Sequence, residues 1–154
     1  MKIYIWSDIR CPFCYVGKKK LEKAMEQFPH ADKVELVWHS FQLDPQLKTQ
    51  PERDPFEFFS EIKGISENQA KLMHQHANNA GKEAGIEFNF EQQKVANSFK
   101  GHLLIQLAKE KNLANEMEEA LFSAQFMEAK NIDDQATLIE IGKKVGLTEE
   151  EVQN

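Results

Sequence analysis

An α/β fold is predicted for this sequence, a short parallel β-α-β unit followed by helices alone. Three observations predict it. Two brief runs of β-branched and aromatic residues, Ile3–Ser7 and Val34–Phe41, flank a stretch of helical periodicity. Both cysteines, Cys11 and Cys14, stand where the first strand hands over to that helix. From Ser66 onward apolar residues recur at helical spacing. The 154 residues are enough for one compact core.

Ile3-Tyr4-Ile5-Trp6-Ser7 reads as a buried strand. Gly17, Leu21, Ala24, Met25 and Phe28 then mark one face of a first helix, which Pro29–Lys33 breaks. Val34–Phe41 forms the second strand, and strand–helix–strand order implies a right-handed crossover with parallel pairing. Leu43-Asp44-Pro45 ends it, and Pro51 and Pro55 mark an irregular connection. Ser66 with Gln69 is a capping box for a helix carrying Met73, Ala77, Ala80 and Ala84, stopped by Gly85. Ile86–Phe90 is expected to be an extended connector. Asn97 or Ser98 can cap a helix with Leu103, Leu104, Leu107 and Ala108. Met117, Ala120, Leu121 and Ala124 outline another, and Leu138, Ile141 and Val145 a third, closed by Gly146. Thr148 with Glu151 opens one more helix near the end of the chain.

The chemistry is concentrated at Cys11-Pro12-Phe13-Cys14. A thiolate, not a thiol, attacks sulfur. At a helix N-cap, Cys11 would face N–H groups without intrahelical partners and the positive end of the helix dipole. Pro12 suits the first helical position. Cys14, one turn on, is placed to resolve a mixed disulfide formed at Cys11. Phe13 cannot add the positive charge that an imidazole would, so a less oxidising pair is expected than with His there. Asp8 has two readings, proton acceptor for Cys14 or a carboxylate solvating the loop. A structural zinc site needs four ligands, and there is no second cysteine pair; His74 and His76 point to nearly opposite sides of a helix. No metal is expected. A static disulfide would be unusual in a chain without an export signal, which leaves redox exchange.

A net charge of −6 and a pI near 5.4, with no basic stripe, argue against nucleic acid as a partner. No apolar run is long enough to span a membrane, and residues 1–10 do not read as a secretory signal, so a cytoplasmic location is expected. Lys18, Lys19 and Lys20 read as a solvated helix face. His102 and Tyr15 are candidates for a substrate cleft, with a helix-end histidine and a packed tyrosine as the plainer alternatives. His39 reads as a packed, hydrogen-bonded histidine, and Trp6 and Trp38 as core aromatics.

Asp8-Ile9-Arg10-Cys11-Pro12-Phe13-Cys14-Tyr15-Val16-Gly17 resembles the DsbA-like thioredoxin-fold oxidoreductases, specifically the FrnE branch. So do Phe41–Pro45, Asn97–His102, Leu121-Phe122 with Phe126, and Asn131–Asp134. Kappa-class glutathione transferases and 2-hydroxychromene-2-carboxylate isomerase are related, with Ser in place of Cys11. The resemblance implies a thioredoxin-like (DsbA-type) fold with an inserted helical domain. It divides the chain into residues 1–45, the N-terminal β-α-β part; 46–147, the inserted helical domain; and 148–154, the start of a return helix. It also implies a return through two strands, a helix and a cis-proline loop that holds substrate peptide. After Asn97 there is no strand-like run and no proline, so an incomplete thioredoxin half is expected, with an exposed sheet edge through which copies could associate. The implied activity is thiol–disulfide exchange through a redox-active Cys11–Cys14 disulfide, acting on protein or low-molecular-weight thiols and disulfides with no other cofactor. The alternatives are a glutathione-dependent transferase or isomerase and a non-catalytic fragment.

Overall fold

A computed structural model describes all residues from Met1 to Asn154. Strand β1 (Lys2–Ser7) leads into helix α1 (Pro12–Glu26), and a short 3-10 turn at Ala31–Lys33 precedes strand β2 (Glu35–Ser40). The strands pair in parallel, Ile3 opposite Leu36 and Ile5 opposite Trp38, as a β-α-β crossover requires. They form a two-stranded sheet.

The sheet is covered on one face only. Trp38 is buried, as expected for a core aromatic, but Trp6 is 64% exposed because alternate residues of β1 point to the open face. There Trp6 and His39 stack at 4.7 Å, with Tyr4 beside them. The expectation of a buried first strand therefore fails at Tyr4 and Trp6. Likewise, the expected inner face of α1 is partly wrong: Gly17, Ala24 and Phe28 lie in solvent, and Tyr15, Val16 and Lys18 are the buried residues. Lys18 is not a solvated charge. Its ammonium is held by Glu22 and Glu119, and the aliphatic stem packs inside.

Beyond β2 the chain is helical: α2 (Pro55–Lys63), α3 (Glu67–Glu83), α4 (Phe99–Glu110), α5 (Ala114–Phe126), α6 (Gln135–Val145) and α7 (Glu149–Gln153). Helix α2 replaces the irregular connection expected around Pro55. Its signals were local: Pro55 occupies the first turn, and the Asp54 carboxylate accepts from the N–H groups of Phe56 and Glu57 at 2.9 and 3.0 Å. Asp54→Ala is expected to cost about 1 kcal/mol, a typical N-cap value, read as a lower urea midpoint with an unchanged slope. Both predicted capping boxes, Ser66 with Gln69 and Thr148 with Glu151, form.

Two apolar clusters hold the fold. One joins Leu104, Ile105, Met117, Leu121 and Ile141 from α4, α5 and α6 to Ile9. The other joins Tyr15 and Val16 of α1 to Ala77 of α3, Phe90, and Phe122 and Phe126 of α5. Residues on either side of Cys11 are thus anchored in different clusters, which fixes the turn between them. Gly101 allows α4 to approach this turn: a Cβ there would lie 2.6 Å from Ile9 Cδ1.

Candidate active site

Cys11 is the N-cap of α1, with extended backbone (φ −94°, ψ 108°), and Pro12 follows at the first helical position. The Cys11 N–H donates to the Asp8 carbonyl at 3.0 Å, which closes the turn out of β1. The Cys14 N–H donates to the Cys11 carbonyl at 3.1 Å and starts the helix. Both cysteines are free thiols and half-buried. No well-aligned hydrogen bond joins the Cys11 side chain to a helix N–H. The amides of Phe13 and Cys14 act on its sulfur as oriented dipoles.

The two sulfurs titrate as a pair. Contact between their side chains raises Cys11 while lowering Cys14 to about 6; burial opposes the drop, and the Asp8 N–H supports it. The first proton therefore leaves the pair well below an ordinary thiol, and the second is retained. This contact favours charge on Cys14, against the expectation that the helix amides hold Cys11 ionised. Asp8 carries negative charge close to Cys14 and disfavours an anion there. The shared proton can thus pass to Cys14 and leave Cys11 as the thiolate at the helix start.

Cys11 opens into a cleft of about 460 Å³, lined by Pro12, Phe13, Phe59, Met73 and His74 among others, Arg10 and Lys63 included. Phe13 is 55% exposed. His74 sits edge-on to Phe56, Phe59 and Phe90, and its Nδ1 is 2.7 Å from the Ala70 carbonyl. Burial lowers His74, which favours the neutral ring in an apolar wall. A larger cavity, about 800 Å³ between α4 and α7, has no cysteine in its walls.

Asp8 is 2% exposed, which rules out a solvating role. Its carboxylate accepts from Ser98 Oγ at 2.7 Å, His102 Nε2 at 2.9 Å and the Leu43 N–H at 2.9 Å. Burial pushes this carboxyl up, but the bonds from His102, Leu43 and Ser98 outweigh it and hold Asp8 below the usual carboxylate range. A carboxylate can only accept, so His102 carries its hydrogen on Nε2. His102 does not line the cleft at Cys11, and it is not a surface histidine. It is buried on Asp8 because Ser98 and His102, one turn apart on α4, face the same loop.

Tyr15 does not line the cleft either. It is 1% exposed, stacked on Phe122 at 4.9 Å, with its hydroxyl 3.4 Å from Glu119 Oε1. Sequence reasoning missed Ser98 as an Asp8 partner and missed Glu118, which is fully buried on α5. The signal for Glu118 was its spacing: Glu118, Phe122 and Gln125 repeat at i, i+4 and i+7 on one helix face.

Comparison with known proteins agrees with this geometry. The model of the DSBA-like thioredoxin domain matches residues 2–154. An uncharacterized protein, YwbO of Bacillus subtilis, is 31% identical over 151 residues, covering 94% of this chain. The chain spans 66% of that relative's length. The crystal structure of a probable DsbA oxidoreductase from Streptomyces coelicolor superposes with a TM-score of 0.90 at 33% identity, over 99% of this chain and 66% of that one. The cytosolic disulfide reductase DsbM of Pseudomonas aeruginosa shares the fold, with a TM-score of 0.69 at 17% identity over 99% of this chain and 68% of that one. With the paired thiols at a helix start and a matching domain model across the chain, this protein belongs to the DSBA-like thioredoxin domain family.

Proposed function

We propose that this chain carries a thiol–disulfide oxidoreductase site in which Cys11 attacks the substrate sulfur and Cys14 resolves the mixed disulfide. One observation supports it above the rest: two free thiols share a helix N-terminus, and one of them faces an apolar cleft. Substrates are disulfides or thiols of proteins or small molecules, and the Cys11–Cys14 disulfide is the only redox group the reaction requires. Glutathione is the small-molecule thiol to test first as exchange partner. Two lone cysteines suit a reducing compartment, and we place the protein in the cytoplasm. The test is insulin reduction by dithiothreitol. Catalytic amounts of the protein are expected to shorten the lag before insulin precipitates; an unaltered lag at every concentration overturns the proposal.

Phe13 sets the redox poise. A histidine there would add positive charge beside the sulfurs and stabilise the thiolate, and the exposed position has room for it. Phe13→His is expected to make the disulfide more oxidising by about 30 mV or more, a tenfold change in equilibrium constant. Mass spectrometry of protein equilibrated in glutathione buffers measures the shift; no change, or a more reducing couple, contradicts it.

A further inference from the structure

The cleft at Cys11 is apolar along most of its wall, and its free hydrogen-bonding groups are few. Phe59, Phe90 and Phe126 give it flat aromatic surface, with Met73 beside them. Of its charged members, Arg10 and Lys63 can only donate, and Asp44 already accepts from the Gln46 N–H at 3.1 Å. Besides Cys11, the polar side chains that remain are His74 on α3 and Gln93, just beyond the 3-10 turn Phe90–Gln92. Their unused groups are acceptors. His74 Nδ1 lies 2.7 Å from the Ala70 carbonyl one turn back on α3, and a carbonyl oxygen cannot donate. Nδ1 therefore carries the hydrogen, and Nε2 of the neutral ring keeps a lone pair.

The surroundings hold that ring in place. Phe56, Phe59 and Phe90 pack edge-on against the imidazole, with ring centroids 5.0, 4.8 and 4.8 Å away. Nε2 makes no hydrogen bond within the protein, yet it is not sealed off from solvent, and the opening left to it is the cleft. Burial lowers His74 and so keeps the lone pair unprotonated. Gln93 Oε1, in the same wall, is likewise without a partner. A cleft of about 460 Å³ is the size of a single-ligand site and takes one large group, not a folded surface. In such a site the apolar walls hold any flat apolar group, and the few placed polar atoms choose among them.

We propose that His74 Nε2 is a specificity-determining acceptor, selecting disulfides that carry an aromatic ring with an O–H or N–H donor close to the sulfur. The inference rests on the disulfide-exchange reading above and names the substrate class of that site. The substrate ring lies against the phenylalanine walls, its donor bonds Nε2, and its sulfur is left at Cys11. An unsubstituted phenyl ring fills the same space but leaves Nε2 without a hydrogen bond, and loses rate for that reason. Two sources share this chemistry. One is a Tyr or Trp side chain next to a disulfide-bonded cysteine in a peptide; the other is a small aromatic disulfide.

The decisive measurement is the rate at which the reduced protein opens the symmetric disulfides of acetyl-Cys-Tyr-amide and acetyl-Cys-Phe-amide. In each reaction the protein's two thiols become the Cys11–Cys14 disulfide and the substrate becomes two thiols. The substrate sulfurs are chemically alike, so the ratio of rates reads the cleft. The native protein is expected to prefer the tyrosine peptide roughly tenfold, and His74→Phe, which keeps a flat ring without the acceptor, to lose that preference. The disulfides of para-(mercaptoethyl)phenol and phenylethanethiol form a second pair. A preference in this pair too assigns the selectivity to the ring alone, and one confined to the peptides assigns it to a peptide substrate. No preference in either pair, or a preference that His74→Phe retains, overturns the proposal. Should His74→Phe not fold, the His74 Nε2 resonance of the oxidised native protein is followed by NMR on adding acetyl-Ser-Tyr-amide or acetyl-Ser-Phe-amide. A shift with the tyrosine peptide that the other does not produce supports the proposal, and equal responses overturn it. Failure to open any of the four disulfides would sink the functional reading itself, whereas reaction without preference sinks this inference alone.

Discussion

Cys11→Ser is expected to lose disulfide exchange by a factor on the order of a thousand or more, while the fold is retained. The chemistry demands a low-energy anion at the N-cap of α1, and a serine hydroxyl stays protonated across the working pH range. The structural cost is small, because Cys11 is half-buried and its side chain makes no capping bond that serine would disrupt. Serine is itself a preferred N-cap residue, so α1 should start at least as well. Activity and stability are therefore predicted to separate. Insulin reduction should fall to the rate of dithiothreitol alone, with an unfolding midpoint equal to or above that of the native protein. Catalysis that survives in Cys11→Ser would assign the attacking sulfur elsewhere. Cys14→Ser differs in kind: Cys11 still attacks, but nothing resolves the adduct, so a mixed disulfide should accumulate and be visible by mass. In Cys14→Ser, Cys11 also loses the neighbouring sulfur with which it titrates. Its alkylation midpoint then reports what the helix amides do by themselves.

How far the sequence carries can be judged from individual residues. The β-α-β start, its parallel pairing and the position of Cys11 at a helix N-cap were legible, because strand periodicity, a proline and two cysteines are local signals. Most helices of the second part were legible from caps and spacing, and α2 was readable from Asp54-Pro55. Burial was harder. Trp6 looks like core in any strand pattern, yet the sheet has only two strands and nothing packs on the face it shares with Tyr4. Lys18 looks like surface in a run of three lysines, and only the approach of α5 with Glu119 buries it. The Asp8 network joins residues about 90 positions apart in the chain, and no local pattern ties Ser98 and His102 to the turn that carries Cys11. Long-range polar contacts of this kind depend on how helices dock, which periodicity does not specify.

Asp8→Ala is expected to destabilise the protein by roughly 3–5 kcal/mol, a large part of the ~5–15 kcal/mol that holds a domain of this kind together. The carboxylate is 1% exposed and is the common acceptor for the Ser98 hydroxyl, His102 Nε2–H and Leu43 N–H. Alanine leaves three donors facing a void, and each buried unsatisfied group costs about 1–3 kcal/mol before relaxation. The damage should spread, since Leu43 anchors the segment after β2 and Ser98 opens α4. Asp8→Asn separates charge from shape. It keeps one acceptor oxygen but turns an NH2 group toward donors, so its loss should be smaller yet clear. The pH dependence identifies the charge. The folded-state value of Asp8 is depressed, so its contribution is fully present above the unfolded carboxylate range near pH 4 and is lost as pH falls through the lower folded value. In urea titrations between pH 3 and 7 the native protein should lose stability on acidification more steeply than Asp8→Asn. The gap between them should be widest at neutral pH and narrow in acid. Parallel curves would mean that the carboxylate's charge contributes nothing, and that shape alone makes Asp8 matter to the turn that carries Cys11.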